Sequence, residues 1–349
     1  MSYTVVVDAM GGDNAPEEIV KGVVRAMDDD KNLQIILTGD EEQINAELEK
    51  AESKHKIEII HTTENVGMDE SPKKALREKP QASINIATRI VHEGRADAVV
   101  AAGNTGAVVL AAANNMQVIQ GIERAGLAAI YPTAKFNKES RGAALMLDVG
   151  ATLKCTPKQL VHFAFMGSYY VQHILNVDKP RIALLNIGEE ETKGGEVLTK
   201  TYAYLTEAED LNFIGNVEGK DIPHGVADVI VTEGFVGNIT LKMMEGVGDL
   251  LKQTGKYAFR KKLTWKIGLA LLSGGVKRLK AKTDYSEYGG APILGLEKLV
   301  IKSHGRSNAK AIANAIKAAV RSIEEDVASH IADSIKKFNS QHKMDFLDI

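Results

Sequence analysis

The sequence predicts an α/β fold, because apolar strand-like segments alternate with amphipathic helical segments along the chain. Four apolar strands each run into a turn of Gly, Asn, Thr or acidic residues and then into a helix; these units lie at 5–24, 98–112, 183–196 and 229–242. The chain has 349 residues, 44% of them hydrophobic, which is enough for a large buried core. We expect residues 1–349 to form one large domain.

The first unit, VVVDAMGGDNAP, predicts an anion-binding turn. Its strand ends in Asp8, its turn contains Gly11 and Gly12, and its helix opens after Asp13. Ligands of open α/β sheets bind where the carboxyl end of a strand meets the amino end of a helix, since unpaired backbone N–H groups point outward there. If the four units share a parallel sheet, their turns line one edge and form one cleft.

The other elements follow from apolar periodicity and turn residues. Strands are predicted at 33–38, 57–61, 125–131, 143–149, 181–187, 212–217 and 226–232, and helices at 41–54, 83–93, 160–175 and 309–338. We expect the apolar helix at 160–175 in the core or at a subunit contact. Residues 62–80 and 284–295 are predicted to be loops, the first with one turn of helix.

Positive charge is concentrated in one segment. The formal net charge is only −3, yet residues 252–282 carry ten Lys or Arg and no acidic residue. Helical spacing on both sides of the Ser-Gly-Gly break at 273–275 predicts a protruding helical hairpin at 239–283, with an apolar tip and cationic flanks. The residues expected to contact an acidic partner or a membrane are Arg260, Lys261, Lys262, Trp265, Ile267, Leu269, Leu271, Leu272, Lys277 and Arg278.

No targeting or membrane-spanning signal is found in the sequence. The longest apolar run near the middle, 267–272, is far shorter than the ~20 residues that cross a bilayer. The start, MSYTVVVDAM, lacks a basic region and a cleavage signature, and the single cysteine, Cys155, excludes an internal disulfide. We therefore expect a cytoplasmic protein.

Signatures for common cofactors and side-chain nucleophiles are missing. The sequence has no GxGxxG in a dinucleotide context and no GxxxxGK[ST], HExxH, CxxC or GxSxG. Cys155 has no histidine near it in the sequence, so a bound oxyanion such as phosphate is the expected nucleophile. Lys193, flanked by glycine in GEEETKGG, is the best candidate to bind that charge, although a solvated surface lysine explains the position equally well. Among the nine histidines, only His304 lies in a cluster of Gly, Ser and Asn.

Eight motifs are specific enough to identify a family. They are VDAMGGDNAP (7–16), AGNTGA (102–107), LDVGA (147–151), LLNIGEE with its later KG (184–194), IGNVEGKDI (214–222), EGFVGN (233–238), YSEYGGAPILG (285–295) and HGRSN (304–308). In this order they resemble the PlsX family of bacterial phosphate acyltransferases. Two positions depart from the family pattern, since Thr152 stands where LDVGAN is usual and Glu233 where DGF is usual. Both keep a polar group.

The resemblance implies a Rossmann-like α/β/α sandwich similar to the phosphotransacetylases and the isocitrate and isopropylmalate dehydrogenases. It also implies a homodimer with no metal or nucleotide cofactor. The implied reaction converts inorganic phosphate and a fatty acyl group on acyl carrier protein (ACP) into acyl-phosphate and free ACP. Acyl-phosphate then serves glycerol-3-phosphate acylation in phospholipid synthesis.

This resemblance suggests roles for the predicted site residues. Phosphate, held by turn N–H groups and Lys193, attacks the thioester carbonyl. Asn238 and Asn104 steady the oxyanion, and His304 can supply a proton. The departing thiol has a pKa of about 8.5, so it needs little acid help. Asp8 is expected to orient its turn. The residues expected to bind phosphate or substrate are Gly11, Gly12, Asp13, Thr105, Gly106, Asn186, Gly188, Gly194, Gly237, Gly290, Ser307 and Asn308.

Three other functions fit parts of the sequence. They are an acyl-CoA:phosphate transferase of the phosphotransacetylase type, a non-catalytic membrane scaffold that binds phosphate, and a dehydrogenase of the same fold. The missing dinucleotide motifs disfavour the dehydrogenase, and the four glycine-containing turns disfavour the scaffold. The hairpin suits ACP, an anionic membrane or a dimer partner, and its cationic flanks favour the membrane over the partner.

Overall fold

A computed structural model of the chain describes residues 2–134, 142–261 and 289–341, together with positions 264, 265, 268, 271, 272 and 274. In this part of the chain eleven strands form one mixed sheet, in the order β3-β2-β1-β4-β11-β10-β5-β6-β9-β7-β8. The strands are β1 (Tyr3–Asp8), β2 (Leu33–Gly39), β3 (Glu58–His61), β4 (Ala98–Ala101), β5 (Gly126–Pro132), β6 (Ala143–Leu147), β7 (Arg181–Leu185), β8 (Asn212–Val217), β9 (Val229–Val231), β10 (Ala291–Leu294) and β11 (Leu299–Lys302).

Helices connect most of the strands, so the fold is a mixed α/β fold with a large central sheet, as the sequence predicts. The helices are α1 (Glu17–Asp29), α2 (Glu41–Lys50), α3 (Pro72–Glu78), α4 (Ser83–His92), α5 (Thr105–Asn115), α6 (Pro157–Ile174), α7 (Gly195–Glu207), α8 (Gly234–Lys261), α9 (Ala309–Glu324) and α10 (Val327–Gln341). A short 3₁₀ helix lies at Ile222–His224.

The direction of the strands reverses in the middle of the sheet. Strands β1, β2, β3, β4 and β11 are parallel to one another. Strands β6, β7, β8 and β9 are also mutually parallel, but the antiparallel pairs that separate the two groups make them run the other way. The expectation that all four turns lie along one edge is therefore wrong. The turns after β1 and β4 lie at one edge, and those after β7 and β9 lie at the opposite edge.

Apolar side chains at alternate strand positions pack on both faces of the sheet. On β1, Val5 and Val7 pack with residues of α1 and α9, whereas Val6 packs with residues of α4 and α5. All three side chains are fully buried. A fully buried valine typically contributes ~1.5–3 kcal/mol, so both layers hold the carboxyl end of β1 in place.

Helix α6 covers the other half of the sheet. It begins with a capping box in which Thr156 and Gln159 satisfy each other's backbone N–H groups. Its side chains Leu160, Phe163 and Met166 are fully buried against β6, β7 and β9. The prediction of a buried apolar helix is confirmed, and its place is in the core.

Three predicted segments differ from the structure. Helix α8 begins at Gly234 and not at residue 239, so Gly237 and Asn238 lie in its first turns. The predicted helix 309–338 is two helices, because the chain turns at Asp326, which has a positive φ of 43°. Part of the predicted loop 284–295 is strand β10, although Pro292 lies inside it. Proline is rare inside strands, which is why the pattern indicated a loop.

The predicted hairpin is only partly described. Arg260 and the backbone of Lys261 lie at the end of α8, and Trp265, Leu271 and Leu272 are exposed. The predicted contact residues outside the described part are Lys262, Ile267, Leu269, Lys277 and Arg278. None of the helices in the described ranges combines the length and apolar character needed to cross a bilayer.

Candidate functional site

The carboxyl ends of β1, β4 and β11 lie side by side, and the turns that follow them interlock. Asp8 and Lys302 pair with Ala101 from opposite sides. The Asp13 N–H donates a hydrogen bond of 2.8 Å to the carbonyl oxygen of Gly305. We call residues 8–14, 101–106 and 302–308 the central loop cluster. It brings together the predicted residues Gly11, Gly12, Asp13, Asn104, Thr105, Gly106, His304, Ser307 and Asn308.

The glycine pair of the first turn is required by close backbone packing. A Cβ atom on Gly11 would lie 2.8 Å from the backbone nitrogen of Gly103 and 2.6 Å from Oδ2 of Asp8. Gly12 has a φ of +112°, which side chains rarely allow. Gly290 serves the same edge, since a Cβ there would lie 3.0 Å from the carbonyl oxygen of Lys302. These glycines let three chain segments meet without intervening side chains.

Asp8 shapes its own turn. Its carboxylate is buried, and Oδ1 accepts the Met10 N–H at 3.1 Å. Burial raises the pKa of Asp8, while hydrogen bonds from the Ser83 side chain and from the backbone of Met10 and Gly11 act in the opposite direction. The side chain points into the turn and not outward, in agreement with the predicted orienting role.

Asn104 is used to cap α5 and to hold a neighbouring loop. Its Oδ1 accepts the Ala107 N–H at 3.2 Å, and its Nδ2 donates to the carbonyl oxygens of Met68 and Glu70, both at 3.0 Å. The amide is therefore engaged, and steadying an oxyanion would require it to break these bonds. Among the described residues, the N–H groups of Thr105 and Gly106 make no hydrogen bond, so the start of α5 offers two backbone donors.

His304 is a neutral hydrogen-bond donor in this cluster. Burial is the largest effect that lowers the pKa of His304. The positive charges of Lys302, Arg306 and Lys242 lower it further, and Glu245 acts in the opposite direction. Its Nδ1 accepts the Arg306 N–H at 3.1 Å, so the neutral ring carries its proton on Nε2. His304 can thus donate through Nε2 without carrying charge.

Lys302 is the residue that the sequence analysis missed. It ends β11 in the middle of the sheet, and its surface is only 9% exposed. Burial, and after it the charge of Lys242, lower the pKa of Lys302 to about 8, against the opposite effects of Glu245 and Asp13. Within the described ranges its ammonium group makes no hydrogen bond or ion pair. The sequence feature that could have pointed to Lys302 is its position at the end of an apolar strand, directly before SHGRSN.

A second group of turns surrounds Asp148, after β6. The fully buried carboxylate accepts backbone N–H groups from Leu127, Gly150, Ala151 and Thr152, and also the Thr152 hydroxyl. The start of α8 packs on this turn, and a Cβ on Gly237 would overlap the Asp148 carbonyl oxygen. Gly237 is therefore a packing residue and not an exposed donor.

Asn238 and Cys155 lie in the same second group. The side chain of Asn238 lies beside Gly150 and makes no hydrogen bond among the residues that the structure describes. Cys155 is buried next to the Thr152 hydroxyl, at 3.1 Å from sulfur to oxygen. Burial raises the pKa of Cys155 to about 11, so the thiol is not activated as a nucleophile. This agrees with the prediction that no cysteine attacks the substrate.

A third group contains Lys193, after β7. Asn186 holds this loop, since its Nδ2 donates to the Lys193 carbonyl at 3.0 Å and its Oδ1 accepts the Ile187 N–H at 2.8 Å. The Lys193 side chain is 47% exposed and its Nζ lies 3.9 Å from Glu190. Gly194, with a φ of +87°, is the N-cap residue directly before α7. The predicted residues Asn186, Gly188, Lys193 and Gly194 thus form a loop of their own.

The third group lies far from the central loop cluster. Strands β7 and β11 are five positions apart in the sheet and run in opposite directions. At ~4.8 Å per strand, this separates them by about 24 Å. The prediction that the turns of Gly12, Gly106, Lys193 and Asn238 meet at one edge is therefore wrong, because the sheet reverses direction between them.

Helix α8 connects the second group to the central loop cluster. It begins at the Asp148 turn, carries Asn238 in its second turn, and continues to Lys242 and Glu245. Both of these side chains are close enough to Lys302 and His304 to influence their pKa values.

In the described part of the chain, no group of three or more His, Cys, Asp or Glu residues is arranged to hold a metal ion. The site is thus a set of backbone donors, a neutral imidazole and lysines.

The comparisons with known proteins agree with the sequence motifs. The model of the family described as "Fatty acid synthesis protein" matches residues 3–330. The chain is 42% identical over 337 residues to the phosphate acyltransferase of Thermoanaerobacter pseudethanolicus, covering 97% of this chain and 98% of that protein. It is 44% identical over 332 residues to the phosphate acyltransferase of Thermoanaerobacterium thermosaccharolyticum, covering 95% and 96%.

Solved structures show the same fold at low sequence identity. A phosphotransacetylase from Streptococcus pyogenes matches with a TM-score of 0.60 at 18% identity, covering 96% of this chain and 94% of that one. A branched-chain phosphotransacylase from Enterococcus faecalis V583 matches with a TM-score of 0.55 at 16% identity, covering 92% and 99%. The full-length family match and the relatives above 40% identity show that the chain belongs to the fatty acid synthesis protein family, the PlsX family that its motifs resemble.

Proposed function

We propose that this protein transfers a fatty acyl group from acyl-ACP to inorganic phosphate, giving acyl-phosphate and free ACP. The acyl-phosphate then supplies glycerol-3-phosphate acylation. The central loop cluster carries the proposal, because it offers backbone donors and a buried ammonium group to an anion but no activated side-chain nucleophile. The full-length similarity to proteins named phosphate acyltransferase supports the same reaction.

In the proposed reaction the nucleophile is a phosphate oxygen. It attacks the thioester carbonyl carbon, a C–O bond forms, and the carbonyl oxygen becomes an oxyanion. The oxyanion collapses, the C–S bond breaks, and the phosphopantetheine sulfur leaves as a thiolate. A free thiol of this kind has a pKa of about 8.5, so the thiolate is an adequate leaving group and is protonated afterwards by solvent.

Hydrogen-bond donors stabilise the oxyanion. The Nε2–H of His304 lies in the central loop cluster, and the uncommitted amide of Asn238 lies one turn of α8 before Lys242. One well-placed donor of this type is typically worth ~2.7–4 kcal/mol in the transition state. The position of Lys193 beside Glu190, on the opposite edge of the sheet, lends no support to its predicted role as the phosphate anchor.

The direct test is incubation with palmitoyl-ACP and phosphate, followed by hydroxylamine trapping of acyl-phosphate as the hydroxamate. The proposal expects phosphate-dependent hydroxamate, and none when phosphate is omitted. Turnover on palmitoyl-CoA in place of palmitoyl-ACP would identify the acyl-CoA:phosphate transferase. Phosphate binding without any product would identify the scaffold, and quenching of nicotinamide fluorescence on titration would identify a dehydrogenase.

We also propose that the segment 239–283 forms the helical hairpin and associates with anionic membranes from the cytoplasm. Leu271 and Leu272 are 82% and 63% exposed, and ten basic residues lie in 252–282. Each basic residue near an anionic surface adds ~1 kcal/mol of attraction. Sedimentation with anionic liposomes should be lost in Leu271→Glu/Leu272→Glu. The exposed Leu153→Glu, far from the basic segment in sequence, is the matched control; equal sedimentation of both variants and wild type would rule out the membrane contact.

A homodimer is proposed for the apolar surface of α8. Exposed apolar side chains recur along this helix: Ile239, Met243, Val247, Leu250 and Leu251. A monomer rarely exposes such a continuous stripe. The proposal expects a dimer by sedimentation velocity and a monomer for Val247→Glu/Leu250→Glu. A wild-type monomer at micromolar concentration would refute it.

The finer description of the fold as a Rossmann-like α/β/α sandwich is supported by apolar layers on both sheet faces.

A further inference from the structure

We propose that the ammonium group of Lys302 anchors the phosphate nucleophile, in an oxyanion site that it forms with the first backbone N–H groups of α5. The identity of the anion rests on the proposed function, whereas the site itself rests on the geometry of the central loop cluster. No motif or comparison assigns a role to Lys302.

Lys302 carries a largely buried charge that has no counter-ion among the described residues. Lys302 is 91% buried in the middle of the eleven-stranded sheet, between Ala101 of β4 and Ala291 of β10. In the described part of the chain, its ammonium group has no hydrogen bond or ion pair. Proteins rarely bury most of a lysine without a partner, because the charge then loses most of its hydration and gains nothing in return. A bound anion supplies the missing partner.

Charged groups face Lys302 from the neighbouring elements. Helix α8 contributes Lys242 and Glu245, and the turn after β1 contributes Asp13. His304, two residues further along the chain, is also influenced by Arg306. The two acids act on Lys302 electrostatically but form no ion pair with it, and Lys242 opposes its charge. A dianion between Lys302 and Lys242 converts this repulsion into two attractions.

Hydrogen-bond donors lie at the same strand ends as Lys302. Lys302 pairs with Ala101, and α5 begins at Thr105, only four residues further along that chain. The N–H groups of Thr105 and Gly106 are unused, and the positive end of the helix dipole is there. The hydroxyl of Ser307 is buried in the same cluster and has no partner among the described residues. Phosphate has enough acceptor oxygens for all of these groups.

The burial of Lys302 also distinguishes it from Lys193. Lys193 is half exposed and already lies 3.9 Å from a carboxylate. A surface ammonium of this kind interacts weakly with anions because water and salt screen it. Most of the Lys302 side chain is shielded from solvent, so the same charge acts more strongly on a bound anion. The lowered pKa of Lys302 makes phosphate binding weaken as the pH rises above about 8.

The test measures inorganic phosphate binding by isothermal titration calorimetry on the full chain, without any acyl donor. Lys302→Met keeps an unbranched side chain of similar length but removes the charge, and we expect it to weaken phosphate binding roughly 10- to 100-fold. Lys302→Arg retains charge and should bind more tightly than Lys302→Met, with no loss between pH 8 and pH 10. Lys298→Met, at an exposed lysine just before β11, is the matched control and should bind like wild type.

Two outcomes overturn the inference. They are unchanged phosphate affinity in Lys302→Met, and loss of affinity in Lys193→Met with Lys302→Met unaffected. Thermal unfolding of Lys302→Met checks that the variant is folded, and acyl-ACP KM should stay within about twofold while phosphate KM rises. The binding measurement is independent of turnover. Phosphate binding that depends on Lys302 without acyl-phosphate formation would refute the proposed function and leave the site intact, and the reverse result would refute the site alone.

Discussion

Replacing Lys302 by methionine should make the phosphate-free protein more stable. A lysine that is 91% buried without a counter-ion destabilises the folded state, because its ammonium group loses its hydration on folding. Methionine fills nearly the same space and carries no charge. A substitution in the middle of the central sheet would ordinarily be expected to lower stability, so an increase is a specific consequence of the unpaired charge.

The pKa of Lys302 sets the size and the pH range of this effect. Its value falls from the ordinary 10.5 to about 8 in the folded protein. At 1.36 kcal/mol for each pKa unit, this difference corresponds to about 3 kcal/mol. The folded pKa is lower than the unfolded one, so between pH 8 and pH 10.5 the unfolded state binds more protons. The destabilisation is thus complete below about pH 8 and disappears as the pH rises towards 10.5.

Urea unfolding at pH 7, 8, 9 and 10 in phosphate-free buffer measures the difference. At pH 7 the variant should exceed the wild type by up to about 3 kcal/mol in unfolding free energy, and the two should converge towards pH 10. Lys298→Met, which removes an exposed lysine, should match the wild type throughout. Phosphate at 100 times its Kd should stabilise the wild type by ~2.7 kcal/mol and the variant far less.

Two results would refute this reasoning. If Lys302→Met were less stable than the wild type at pH 7, the ammonium group would have a partner in solution that offsets its burial. If the difference between the proteins were the same at pH 7 and pH 10, proton binding by Lys302 would not be its cause.

Three further outcomes follow from buried groups away from the proposed anion site. Gly237→Ala should lower the unfolding free energy by more than ~3 kcal/mol in urea unfolding, because its Cβ overlaps the carbonyl oxygen of Asp148. Asp228→Ala should cost ~3–5 kcal/mol by the same measurement, since it leaves the Arg181 guanidinium, which the carboxylate binds in bidentate fashion, without its counter-charge. Cys155, whose pKa is raised to about 11, should resist iodoacetamide at pH 8 in the folded protein and react after unfolding, as mass spectrometry would detect.

Local patterns in the sequence were sufficient to find nine of the eleven strands in the described part of the chain, most helices and the turns, but not β10 or β11. The VVVD run is β1, the Gly11 and Gly12 turn follows it, and the apolar helix at 160–175 is α6. These elements depend on interactions between neighbours in the chain, such as alternation of apolar residues and capping. The same patterns carried no information on strand direction. Parallel and antiparallel neighbours differ in how distant segments pair, which local spacing does not encode.

Strand direction decided which predicted site residues meet. The turn containing Lys193 resembles the first turn in composition, but β7 and β1 run in opposite directions, and the two turns lie at opposite edges. Asn238 was expected in the turn before a helix that starts at residue 239, yet it lies inside α8, and its neighbour Gly237 is needed where α8 packs on the Asp148 turn. The glycine of this motif thus indicates close packing and not a ligand.

Lys302 shows why charge and burial must be considered together. In the sequence it is one of 43 basic residues, and although it lies directly before SHGRSN, the residues before it in LVIK are apolar, so local spacing identifies it only as the end of a strand. Only the register of β11 between β4 and β10 reveals that this lysine ends in the interior, beside unused donors. Burial by segments that are distant in the chain leaves no local signature, so the adjacent motif alone did not identify Lys302 as part of the site. To predict such a site, one must ask which group compensates each buried charge. Among the residues described, the protein supplies no compensating group for Lys302.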